Sequence, residues 1–180
     1  ENNNLDFEAI INELFRVLKK NTHLYCFFSE KQSHKIIPLF EKAGFKFVQY
    51  LIWVKNRSTP DLTYGHKYRY KHELCGFFQK GWSKLRRQSG QSTVIEHAIL
   101  GEQLKYLHPT QKPLPVIKRF IENSTDENQV VLDCFMGSGT TAVGCKQLNR
   151  QFIGFEIAPE YVEIANNRLQ QKTLITGQLF

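Results

Sequence analysis

Asp133-Cys134-Phe135-Met136-Gly137-Ser138-Gly139-Thr140-Thr141-Ala142 decides the fold. The apolar run Val130-Val131-Leu132 before it reads as a short buried strand, and a helix to about Asn149 follows it. Glycines at such a turn let the backbone bend and approach a ligand without a Cβ clash. The helix start beyond it offers free N–H groups and the positive end of a dipole. The next strand, Gln151 to Glu156, ends on an acid that can accept hydrogen bonds from ribose hydroxyls. No Lys follows the second Gly, so this is not a Walker loop. Two nucleotide readings stay open. Gly137-x-Gly139-x-x-Ala142 fits the dinucleotide pattern, whereas an S-adenosylmethionine site needs the ribose but no pyrophosphate. The Asp133 carboxylate at the strand mouth favours the second, because it would repel a pyrophosphate and attract a sulfonium with an α-amino group.

Working outward, strands alternate with helices along the whole chain. Leu5 to Leu18 carries apolar residues at helical spacing, and Asn21 stops that helix. His23 to Phe28 is a continuous apolar run, read as a buried strand of a parallel sheet. Ser29 and Gln32 predict a capping box, and the helix they open runs to about Gly44, bent or shortened by Pro38. Phe45 to Val54 and His72 to Gln79 are two further strands, with a polar, basic loop at 56–71 between them. Residues 81–107 read as an irregular insertion. A helix follows Pro113 and Pro115, and Pro159 opens a last helix to about Gln171. This alternation predicts an α/β layered fold with a mostly parallel sheet.

The 180 residues carry a formal net charge of +7. Residues 53–87 hold 9 basic and 2 acidic side chains, and the flanking segments are close to neutral. A surplus confined to one segment points to a polyanion, nucleic acid before an acidic membrane. Lys67-Tyr68-Arg69-Tyr70-Lys71 interleaves cations with aromatic rings, and Lys84, Arg86 and Arg87 follow after one strand. Lys67, Arg69, Lys71, Lys84, Arg86 and Arg87 are therefore the candidate phosphate contacts. No run approaches the roughly 20 apolar residues of a membrane span. Cys26, Cys75, Cys134 and Cys145 form no C-x-x-C pair and no metal-ligand spacing, so reduced thiols and no metal are expected, in a cytoplasmic protein. Cys134 alternates with Asp133 along its strand, which favours packing over nucleophilic chemistry.

With these residues in hand, the chain resembles the amino-group DNA methyltransferases, the N6-adenine and N4-cytosine enzymes, in their permuted order with the catalytic half first. Asp133-x-Phe135-x-Gly137-Ser138-Gly139-Thr140 is similar to that family's cofactor loop, and Glu156 to its ribose-binding acid. His108-Pro109-Thr110-Gln111-Lys112-Pro113 resembles the segment that contacts the methionine part of the cofactor. Leu24-Tyr25-x-Phe27-Phe28-Ser29, Ile52-Trp53-Val54-Lys55 and Tyr70-x-His72-Glu73 resemble strands of the catalytic half and their flanks.

The resemblance implies a Rossmann-like, S-adenosylmethionine-dependent methyltransferase sheet, mostly parallel with an antiparallel edge strand and with helices on both faces. The cofactor would be held by His108, Thr110, Lys112, Pro113, Asp133, Phe135, Gly137, Ser138, Gly139, Thr140 and Glu156. It implies methyl transfer to an exocyclic amine of a base flipped out of double-stranded DNA, adenine N6 before cytosine N4. Residues 1–80 would belong to the catalytic half, 81–107 to a short target-recognition insertion and 108–180 to the cofactor half of a single domain. A second copy of the chain and a companion restriction endonuclease are the protein partners left open. The family's (Asp/Asn/Ser)-Pro-Pro-(Tyr/Phe/Trp) tetrapeptide is absent, so no catalytic residue is assigned. In the permuted order it would precede Glu1, and the chain is expected to be truncated at its N-terminus and short of at least one strand. A nicotinamide-dependent oxidoreductase is the alternative on the Gly-rich turn alone, and a non-catalytic DNA-binding remnant is the alternative on the missing tetrapeptide.

Overall fold

Asp6 starts the first helix: its carboxylate accepts the Ala9 N–H at 3.0 Å, capping α1 (Phe7–Val17). Asn21, at φ 62°, turns the chain out of the helix into β1 (Thr22–Phe28). The Gln32 carboxamide accepts the Ser29 N–H at 3.1 Å, the return bond of the predicted capping box, and α2 (Glu30–Lys42) follows. Pro38 lies inside α2 without ending it. The remaining elements are β2 (Lys46–Val54), β3 (His72–Lys80), β4 (Val94–Glu96), α3 (Leu114–Ser124), β5 (Val130–Asp133), α4 (Thr140–Gln147), β6 (Gln151–Gly154) and α5 (Pro159–Gln170). The computed structural model describes residues 5–56, 68–87, 91–98 and 111–170. It divides into two compact units, Glu1–His97 and Ala98–Phe180.

In the first unit four strands are ordered β1-β3-β2-β4. β3 runs antiparallel to both neighbours, while β2 and β4 are parallel. The expected antiparallel strand is therefore β3, and it lies inside this sheet, because β2 and then β4 pair beyond it. β4 is a strand that the sequence reading placed in an irregular insertion. Three residues are too few to show a period, but the Ile52 N–H donates to the Thr93 carbonyl at 2.8 Å and anchors the pairing. β1 was read as a strand of a parallel ladder, whereas its pairing among the described residues is antiparallel, to β3.

The core of this unit is aromatic. Ile11 of α1 and Ile36 and Phe40 of α2 meet Phe28, Phe45 and Phe78 of the sheet and its entry. Phe40 stacks on Phe78 with ring centroids 4.3 Å apart, and Phe45 meets Phe15 and Phe40 edge-on. Both helices thus share one core over one face of this sheet. The pleat sends Cys75 and Phe77 to the other face, where they too are buried.

In the second unit β5 and β6 form a parallel pair, Val130 opposite Gln151 through Asp133 opposite Gly154. β6 ends at Gly154, so Glu156 lies beyond the strand rather than on its last residue. Among the described residues, no helix is long and apolar enough to cross a membrane.

Candidate cofactor site and nucleic-acid surface

The Gly-rich turn is built by the end of β5. Asp133 accepts the Phe135 N–H with one carboxylate oxygen at 3.1 Å and the Thr141 hydroxyl with the other at 2.6 Å. The carboxylate therefore ties the strand end to the first turn of α4. Gly137 and Gly139 both have positive φ, 52° and 78°. The Gly139 N–H closes the turn onto the Met136 carbonyl at 3.0 Å. A Cβ on Gly139 would sit 2.7 Å from the Ala165 Cβ, so α5 packs directly against the turn.

Glu156 is the centre of this arrangement. One carboxylate oxygen accepts the Gly137 N–H at 2.8 Å, and the other accepts the N–H groups of Ile157 and Ala158 at 2.8 and 3.0 Å. An acid held by this many backbone donors is fixed in place, with acceptor capacity left for hydroxyl donors. Phe135 and Ile157, 55% and 85% exposed, are apolar side chains next to it along the turn and the chain. Ile157 was not singled out in the sequence, although its position directly after the acid was the signal.

The other predicted residues fall around this turn. Ser138, Gly139 and Thr140 are buried, as is Pro113, which caps α3 at its N-terminus, and Lys112 is half-buried. The Ser138 hydroxyl donates to the Gln111 carboxamide at 3.2 Å, which joins the turn to the segment preceding α3. Gln111 belongs to the quoted hexapeptide, in which the resemblance assigns it no role. His108 and Thr110 lie outside the described residues. Burial, with the Asp133 carboxylate adding to it, pushes the Cys134 thiol up. Burial takes Cys145 to about 12. Both shifts favour the neutral thiol over the thiolate.

Among the described residues, the candidate basic side chains do not form one patch. Lys71 immediately precedes β3 and Arg69 lies just upstream, whereas Lys84, Arg86 and Arg87 follow its far end. At roughly 3.4 Å per residue the strand between them spans about 27 Å. Arg69 and Lys71 therefore sit where β1, β2 and β4 end, and Lys84 and Arg86 sit where β1 begins. All five are exposed, and Lys67 lies outside the described residues.

At the Lys71 end the two quoted tetrapeptides meet: Trp53 is opposite Glu73 and Val54 opposite His72. Lys55 pairs with Glu73 at 2.7 Å, buried and 5.1 Å from the Trp53 ring centroid. At the far end Trp82 is 66% exposed with the Lys84 ammonium 5.6 Å over its ring. There the His23 ring donates to the Ser83 carbonyl at 3.2 Å. Burial holds the His23 imidazole below its ordinary value, the Ser83 carbonyl opposes this, and nearby Arg86 adds to it.

A Gly-rich turn between parallel strands, with an acid locked just past the second, defines a Rossmann-like domain built for a nucleoside-containing ligand. The sequence matches the N6/N4 methyltransferase family, described as DNA methylase, over residues 5–167, and the chain belongs to that family. The Type II methyltransferase M.HindIII of Haemophilus influenzae is 30% identical over 209 residues, 90% of this chain and 67% of that protein. M.HpaI of Haemophilus parainfluenzae, also a Type II methyltransferase, is 32% identical, with 90% and 58% covered. The chain thus spans about two thirds or less of the length of these relatives. The crystal structure of M1.HpyAVI in complex with SAM superposes with a TM-score of 0.80 at 30% identity, covering 95% of this chain and 85% of that one. The cytosine-N4-specific PvuII DNA methyltransferase superposes at 0.81 with 20% identity, over 93% and 71%, a likeness of fold.

Proposed function

We propose that the protein acts in S-adenosylmethionine-dependent methylation of an exocyclic amine of a base in double-stranded DNA, with adenine N6 the favoured target and cytosine N4 the alternative. The observation that carries the reading is Glu156, its carboxylate locked by the N–H groups of Gly137, Ile157 and Ala158. The donor set fits the ligand. Glu156 has acceptor capacity for ribose hydroxyls, Phe135 and Ile157 offer apolar surface to the adenine, and Asp133 places negative charge beside a cation. The M1.HpyAVI relative, 30% identical, is solved in complex with SAM, which supports the same ligand here.

Bound cofactor supplies an electrophilic methyl on sulfonium. This chain's part is to hold it: the turn and Glu156 fix the nucleoside, and Lys112 and Pro113, with His108 and Thr110, would face its amino-acid end. Holding the methyl in line with a poor amine nucleophile is a contribution of proximity and orientation. Arg69 and Lys71, beside the strand ends where ligands of open α/β sheets bind, are favoured as contacts to the DNA over the distant Lys84, Arg86 and Arg87.

The test is incorporation of labelled methyl into duplex DNA by the full-length protein, followed by digestion and nucleoside mass spectrometry. N6-methyladenine is the expected product. N4-methylcytosine would move the target to the alternative, and a methylated ring carbon or an unlabelled duplex would contradict the reading.

A further inference from the structure

Arg168 is the charged side chain of α5 that turns inward; it is buried, 7% exposed. Its guanidinium donates through Nη1 to the Ser138 carbonyl at 2.6 Å, the Ser138 hydroxyl at 3.1 Å and the Thr140 hydroxyl at 3.2 Å. A buried guanidinium stays charged, and its desolvation is tolerable only where such acceptors meet it. Ala165 lies one helical turn earlier on the same face and makes the close approach to Gly139. One face of α5 is therefore moulded to the Gly-rich turn by a small residue and an anchoring charge.

The turn is gripped from two sides. Glu156 takes the N–H of Gly137, and Arg168 takes the C=O of Ser138. The peptide unit is planar, so fixing the Ser138 carbonyl also fixes the Gly139 N–H, which closes onto Met136. The Ser138 hydroxyl, held by Arg168, passes the order on to Gln111 and the segment that leads into α3.

We propose that Arg168 is a positioning residue that presets the Gly-rich turn, and with it Gln111, for cofactor binding. It acts through Ser138 and Thr140 and has no contact with the ligand assigned to it. The inference rests on reading the turn as the S-adenosylmethionine site, because only then does presetting translate into cofactor affinity.

The experiment has two arms on the same chain. In the ligand-free arm, amide hydrogen exchange is followed for Gly137 and Gly139 in wild type, R168K, R168Q and S138A. R168Q should speed exchange at these two amides by about tenfold, as loss of a charge-assisted bond implies, while amides of β3 keep wild-type protection. In the ligand arm, calorimetry with S-adenosylmethionine should show about tenfold weaker binding for R168Q, partial recovery in R168K, and a milder loss in S138A. The S138A/R168Q double variant should bind about as R168Q does, because both substitutions break one network.

Unchanged exchange and affinity in R168Q, or losses that add in the double variant, would overturn the proposal. If R168Q does not fold, R168K and S138A carry both arms. A wild-type chain that binds no S-adenosylmethionine would sink the cofactor reading, while the exchange arm would still decide whether Arg168 presets the turn.

Discussion

The two units hold their shape by different means. In the first, Phe28, Phe40, Phe45 and Phe78 bury aromatic rings between two helices and a sheet, and the stabilising term is burial of apolar area. In the second, the turn that matters is held by Asp133, Glu156 and Arg168 through backbone groups, Ser138 and two threonine hydroxyls. Apolar packing is non-directional and tolerates small shifts, whereas hydrogen bonds to a charged group lose strength steeply with angle and distance. The difference teaches where precision is needed. The Gly-rich turn is fixed by directional bonds, and the first unit is held by the packing of its rings.

The largest way to break this contrast is at Phe78, which is fully buried. Phe78→Ala should cost about 3–5 kcal/mol in urea unfolding, the range for deleting a buried ring. A cost near that of a surface change would mean that the aromatic cluster does not support the first unit.

Next in size is the division of the basic residues. R69Q/K71Q should weaken duplex binding and lower the salt slope by about two, as loss of two phosphate contacts would. R86Q/R87Q should leave the slope nearly unchanged. The reverse outcome would place the DNA at the Trp82 end of β3.

The smallest effect concerns His23. Its folded value lies below the ordinary one, so the unfolded chain takes up this proton first as pH falls. The stability tied to the neutral ring is fully present above the unfolded value of about 6.5 and is lost as pH falls below it toward the folded value. His23→Gln should remove this part of the slope in urea midpoints measured between about pH 5 and 7.5. A variant that keeps the wild-type slope would assign it to other groups.

The sequence made the Gly-rich turn legible because its signals are local: a short apolar run, glycines, a helix and then an acid lie within 27 residues, 130–156. Asp133 was found by position, but its observed partners, Phe135 and Thr141, belong to the turn itself. Arg168 was not legible. It is 30 residues from Ser138 and reads as an ordinary cation in the last turn of a helix. β4 was missed because three residues carry no period. The basic residues read as one group because they are near in sequence, yet among the described ones the extended β3 sets Arg69 and Lys71 far from Lys84, Arg86 and Arg87.

The most direct measurement is calorimetric titration of the chain with S-adenosylmethionine and with NADH, alongside Glu156→Ala. S-adenosylmethionine should bind, NADH should not, and the variant should lose about 10²-fold in affinity, as removal of hydrogen bonds to a charged acceptor implies. NADH binding without S-adenosylmethionine binding, or a Glu156→Ala variant with wild-type affinity, would contradict the assignment of the turn and its acid to a methyl-donor site.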